Sequence, residues 1–327
     1  MIRSLVAMLI VGVTAGSAIG QQQVGGTTPQ QNAAVPQGDA WFPDKTELLR
    51  RIALYEAAER SAEAAHSGTE SMVKIYSNLA ALYEDASMYS RSEEVMRREI
   101  AMLRSGPQEP LAEAMGHLAV VHIGMGKLRE AEKDGTVALR IREGLGDPVG
   151  IAKALSDLAD IYIKQGHYKP AFDYAQKAMA VLADNPKVEV VDRVVVRQTL
   201  ANALCGLKQC AQAIPILKAA LELEKSRYGE NSLMVGSGYF LLGHAAWKAG
   251  DMQNAAAWML RGTTRMKVDL GWGHVIYLNA MTEYARFLRE RGQTEAAASA
   301  EREVKMANAV VDARSLAKSP SAFAGSR

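Results

Sequence analysis

Between residues 44 and 318 the apolar residues recur at the three- and four-residue steps of helices that bury one face. Ile151 to Gln165 reads as one such helix, with Leu155, Leu158, Ile161 and Tyr162 on its inner side. Gly166 follows, where a side chain would hinder a tight turn. Pro170 then falls in the first turn of a second helix, where a missing amide proton costs little. The same helix, turn, helix pattern returns along the chain. An apolar residue followed by a small one stands at Leu79-Ala80, Leu118-Ala119, Leu158-Ala159, Leu200-Ala201, Leu242-Gly243 and Tyr284-Ala285. Each small residue is followed 12 positions later by another: Ser92, Ala131, Ala171, Ala213, Ala255 and Ala297.

Successive units are displaced by 39, 40, 42, 42 and 42 residues. A period in this range predicts stacked helical hairpins. The constant 12-residue interval predicts where the two helices of each hairpin cross, because axes approach closely only between small side chains. A third small residue follows seven later, at Ala138, Ala178, Ala220 and Gly262. Glu99 and Val304 stand there in the first and last units, the departure expected of terminal repeats. Gly126, Gly166, Gly250 and Gly292 occupy equivalent turns; Ser87 and Lys208 replace them in units one and four, so those turns are expected to be less regular.

The series Leu158, Ala159, Tyr162, Gly166, Tyr168, Ala171 and Ala178 resembles the tetratricopeptide repeat, and the resemblance extends over residues 70–310. HEAT and armadillo repeats share the period range but not the 12-residue interval. The extra residues beyond the ordinary period of about 34 fall between one hairpin and the next, as in Leu223 to Met234. In this the chain is similar to the 42-residue repeats of kinesin light chain. The resemblance implies an all-α, right-handed solenoid of about six helical hairpins. It also implies a concave groove, lined by the first helix of each hairpin, that holds a peptide or protein segment.

The remaining segments frame the repeats. Residues 1–20 read as a signal peptide, with Arg3, an apolar run from Leu5 to Gly16, and Ala18-Ile19-Gly20 before Gln21. An uncleaved anchor is the alternative. Residues 21–43 are rich in Gln, Gly and Pro and read as a tether without a core. Residues 44–66 read as a capping helix or half repeat, with Asp44 and Glu47 forming a capping box and Ala53 matching Ser92 at the repeat interval. Six repeats are assigned to 67–312, and 313–327 to the end of a capping helix and a tail. The implied location is periplasmic or secreted.

Charge and chemistry add little. The 38 basic and 36 acidic residues leave a net charge of +2, and nothing in this balance suggests nucleic acid, which usually needs a concentrated basic face. Gly124 to Lys127 resembles part of a phosphate loop, but Val121 and Leu128 stand where that motif needs Gly and Ser or Thr. No pair among the six His has the spacing of a zinc hydrolase helix, and His122 takes the packing position of Tyr162. Cys205 and Cys210 flank the turn of unit four; two packed thiols are favoured over a bridge, because a helical hairpin can hold the α-carbons too far apart. No cofactor, metal or catalytic group is expected.

Binding is therefore expected in the groove, and its strongest part is placed at Asn202, Phe240, His244, Trp247, Lys248, Arg286 and Arg289. Aromatic and Arg anchors are enriched in hot spots. The competing reading is that Phe240 and Trp247 pack between repeats. The clamp of Lys and Asn with which some tetratricopeptide repeats hold a carboxylate is not reproduced, because Leu241 and Glu283 interrupt it. The chain reads as a non-enzymatic, exported scaffold for a protein partner. A self-associating envelope component and a regulatory subunit of an enzyme complex are the alternatives. N-terminal sequencing of the native protein should begin near Gln21; finding Met1 on soluble cytoplasmic protein would refute export.

Overall fold

The computed structural model describes residues 45–182, 185 and 188–317. The signal segment, the tether, Asp44 and the tail from Lys318 lie outside the described residues. Thirteen α-helices and no strand are present among those described. They are α1 (Lys45–Ala64), α2 (Thr69–Asp85), α3 (Tyr89–Leu103), α4 (Gln108–Gly124), α5 (Leu128–Leu145), α6 (Pro148–Gln165), α7 (Tyr168–Leu182), α8 (Val190–Gly206), α9 (Cys210–Tyr228), α10 (Leu233–Lys248), α11 (Met252–Leu270), α12 (Val275–Glu290) and α13 (Thr294–Ala317). The expected all-α, helical-hairpin repeat architecture is what these helices build. Two compact units divide at Ile216 and Leu217, inside α9.

In the unit ending at Ile216, the small residues sit where the helices cross. Ala80, Ala119, Ala131, Ala159, Ala171, Ala201 and Ala213 are all buried. Ser92 Oγ donates to the carbonyl of Ala80 at 3.2 Å, so the 12-residue interval closes on itself. Around these crossings, Leu118, Leu158 and Ile161 form the apolar filling. The first hairpin is more polar than the rest. Its Glu99 stands where the internal units carry Ala or Gly; it is buried, accepts from Ser77 Oγ at 2.6 Å, and burial pushes its carboxyl up to about 7.

Helix α1 packs on α2 through Leu48 and Ile52 against Met72, Tyr76, Leu79 and Tyr83. Ala53 is exposed, so it marks no crossing, and the repeat register does not extend into this helix. Glu47 is engaged by Arg50, at 2.7 and 2.8 Å, on the surface of α1.

The turns correct the expectation of irregularity. Ser87 and Lys208 adopt φ of 58° and 63°, the left-handed conformation of Gly126, Gly166, Gly250 and Gly292. Every one of the six turns makes the same pair of backbone bonds. At Ser87 these are Ser87 N to Glu84 O and Met88 N to Tyr83 O, at 2.8 and 2.7 Å. At Lys208 they are Lys208 N to Cys205 O and Gln209 N to Leu204 O, at 3.0 and 2.9 Å. This is a Schellman closure, and its bonds hold a left-handed residue even without glycine. The doubled-back chain at Lys208 also brings Cys205 and Cys210 to a Cα separation of 4.3 Å, and they are bridged. The expectation of two free thiols took the hairpin as too wide; the tight turn makes it narrow.

The connectors are also shorter than their spacing suggests. Of the stretch Leu223 to Met234, only Gly229 to Ser232 lies outside helix. Ser232 caps α10 by accepting from Val235 N at 3.3 Å, as Asp147 caps α6 through Val149 N at 3.1 Å. Most of the added residues lengthen helices.

The left-handed turns generate a direct prediction. Ser87→Gly should raise the melting temperature, by about 1 kcal/mol of stability, because the strain of a left-handed non-glycine outweighs glycine's entropic cost. A lower melting temperature would mean that the Ser87 side chain contributes more than its backbone strain removes.

Candidate functional site

Six of the seven expected anchors lie in the unit from Leu217 onward. Helix α10 meets α11 at two glycines. A Cβ on Gly243 would lie 2.6 Å from the backbone nitrogen of Met259, and one on Gly262 would lie 2.7 Å from Phe240 N and Cβ. Phe240 is therefore drawn against backbone and is 0% exposed. Trp247 is 3% exposed. Its indole edge meets the Phe287 ring at 5.8 Å, and Nε1 donates to Glu290 Oε2 at 2.7 Å. Neither ring is available to a ligand. The expectation that both aromatics face a groove is corrected: glycine at position 262 makes room for Phe240, and α12 covers Trp247 with Phe287.

The charged residues behave differently. Lys248 is exposed and holds its ammonium 3.3 Å above the Trp247 ring centroid. His244 is largely buried, edge-on to the same indole at 5.5 Å. Burial first, then the fields of Lys248 and Arg286, push its imidazole down to about 3. It is neutral at physiological pH and adds no charge to the cations beside it. Arg286 and Arg289 are 51% and 54% exposed in their side chains. Asn202, in the other unit, is partly buried on α8.

Arg286 and Arg289 share a cleft of about 690 Å³ with Thr282 on α12 and Glu301, Val304, Lys305 and Asn308 on α13. Arg289 is clamped by Glu301 through two bonds of 2.6 Å. Arg286 reaches Glu283, a buried carboxylate outside the cleft lining, at 3.2 Å. The structure thus groups two of the expected residues and replaces the aromatic anchors with side chains from the second helix. That helix was left out of the expected groove. Its signal in the sequence is Val304, which breaks the run of small residues where α13 lines the cleft.

Other candidate groups are engaged in holding the fold. His122 is buried, with Nδ1 2.7 Å from Asp134 Oδ2 and Nε2 3.3 Å from Glu93 Oε1. Lys127, from the stretch resembling a phosphate loop, pairs with Glu93 at 2.8 Å, and Gly126 is that hairpin's left-handed turn. Among the described residues no group of three His, Cys, Asp or Glu is placed to hold a metal ion, and no helix is long and apolar enough to cross a membrane.

Comparison with known proteins agrees with the hairpins. Family profiles described as tetratricopeptide repeat match residues 110–184 and 237–265. Curated protein sequences give no match. The apo form of RapI superposes with a TM-score of 0.65 at 14% identity, covering 82% of this chain and 94% of that one. BtubC (BKLC) from P. vanneervenii gives 0.58 at 18%, covering 68% and 92%. A Rap protein complexed with competence and sporulation factor gives 0.58 at 15%, covering 80% and 75%. At these identities the likeness is one of fold.

Burial of Trp247 changes what its removal should do. Trp247→Ala should cost about 3–5 kcal/mol of stability, as large core truncations do, and lower the melting temperature. A mutant that melts like the wild type would return the ring to the surface.

Proposed function

We propose that this chain, whose fold is that of the tetratricopeptide repeats, is an exported, non-enzymatic scaffold that binds a peptide or protein segment within a cell-envelope complex. The single observation that carries the reading is the open cleft of α12 and α13, where cations are presented on rigid helices instead of being consumed in the core. The Rap protein complexed with competence and sporulation factor supports it by example, since its fold is similar. Export rests on Arg3, the apolar run and the small residues before Gln21. A finer likeness to kinesin light chain repeats rests on the 42-residue spacing of the later units.

A second reading, self-association, draws on α11. Leu260 and Val268 are exposed two turns apart on one helix, and Trp272 is exposed just beyond it. Apolar side chains grouped into one exposed patch would favour contact between chains.

Photo-crosslinking in the native cell separates the two. A photoreactive residue at position 305 should trap a discrete partner, and one at exposed position 253 on α11 should not. Equal yields of the same adducts from both positions would overturn the scaffold reading. Adducts of twice the chain mass from position 260 would establish self-association instead.

A further inference from the structure

The cleft of α12 and α13 contains a competitor for its own ligand. Three cations, Arg286, Arg289 and Lys305, line it with one carboxylate, Glu301. They are not equally committed. Arg289 is held in a fork by both Glu301 oxygens at 2.6 Å. Arg286 makes a single-edge contact to Glu283 at 3.2 Å, which leaves the rest of its guanidinium toward solvent. Lys305 is exposed and has no ion pair among the described residues. Hydrogen bonding from Arg289 holds the Glu301 carboxyl below the usual carboxylate range, so it is ionised at neutral pH.

We infer that the cleft binds a short acidic peptide segment, and that Glu301 fills the place of one ligand carboxylate while the cleft is empty. This rests on the reading that the chain binds a segment, and it specifies the chemistry of that segment. One ligand carboxylate meets Arg286 and Lys305. A second takes Arg289 from Glu301 by exchanging one planar fork for another, a geometry that guanidinium and carboxylate share. Glu301 is 44% exposed in its side chain and returns to water without being stranded. Because the exchange replaces like with like, Arg289 adds little affinity while Glu301 is present. Discrimination therefore falls mainly to Arg286 and Lys305, whose donors a non-acidic segment leaves unmatched. A cleft of about 690 Å³ takes a few residues in extended form, and Val304 offers an aliphatic contact between the charges. Basic segments are repelled by the three cations.

The test uses the full chain and three labelled five-residue probes, alternating Glu with Leu, Gln with Leu, and Lys with Leu, read by fluorescence anisotropy. The Glu probe should bind at least about tenfold more tightly than the Gln probe, and the Lys probe least. Glu301→Gln should tighten the Glu probe about fivefold by releasing Arg289, whereas Arg286→Ala should weaken it about tenfold. Raising salt from about 50 to about 200 mM should weaken binding of the Glu probe. Circular dichroism establishes that each variant is folded. An unchanged or weakened affinity in folded Glu301→Gln would remove Glu301 as the competitor. Equal binding of the Glu and Gln probes would remove the acidic ligand. If no probe binds wild type or Glu301→Gln while position 305 still crosslinks a partner in cells, the acidic assignment fails and the scaffold reading stands. Dimerisation lost in Arg286→Ala would assign the cleft to a second copy of the chain and overturn the proposal.

Discussion

Two helices of a hairpin can lie this close only if neither brings bulk to the point where they meet. The hydroxyl of Ser92 reaches the Ala80 carbonyl at 3.2 Å, and a Cβ on Gly243 would come within 2.6 Å of the Met259 backbone. At such separations backbone packs on backbone. The larger residues, Leu118, Leu158, Ile161, Leu242 and Met259, are then free to fill the space on either side. Each hairpin inherits its geometry from that crossing, and its neighbours inherit theirs in turn. The turns inside the hairpins serve the same constraint: six left-handed closures, two without glycine, make the same pair of backbone bonds.

This explains which parts were legible in the amino-acid order. Small residues at fixed spacing report the crossing itself, so the hairpins and their number could be read from Ala159 and Ala171 and their equivalents. Turn quality could not be read from side-chain type, because backbone bonds impose left-handed φ on Ser87 and Lys208. For the same reason the pairing of Cys205 with Cys210 was hidden: it depends on how tightly Lys208 turns. Helical spacing placed Phe240 and Trp247 on an inner face, yet spacing within one helix says nothing about what covers it. The gap left by Gly262 and the ring of Phe287 decide their burial, and both come from other helices.

The site follows from how the charges of α12 and α13 are paired. Inside the array, polar side chains are consumed by neighbours: Tyr162 by Glu132, His122 by Asp134 and Glu93, Lys127 by Glu93. At α12 and α13 the pairing is incomplete, and Arg286 and Lys305 keep unspent donors. Val304, in place of the small residue of the internal units, faces that opening. A surface of this kind suits recognition, because its charges are fixed on helices and its ligand remains to be supplied.

The crossing is tested most directly by thermal melts of Ala171→Leu beside Ala257→Leu. Ala171 is fully buried at its crossing, and Ala257 is exposed on α11. The account predicts that Ala171→Leu loses about 1–3 kcal/mol through overpacking, while Ala257→Leu stays within about 0.5 kcal/mol of the parent. Equal melting temperatures for the two variants would contradict the claim that small residues at the 12-residue interval hold the hairpins together.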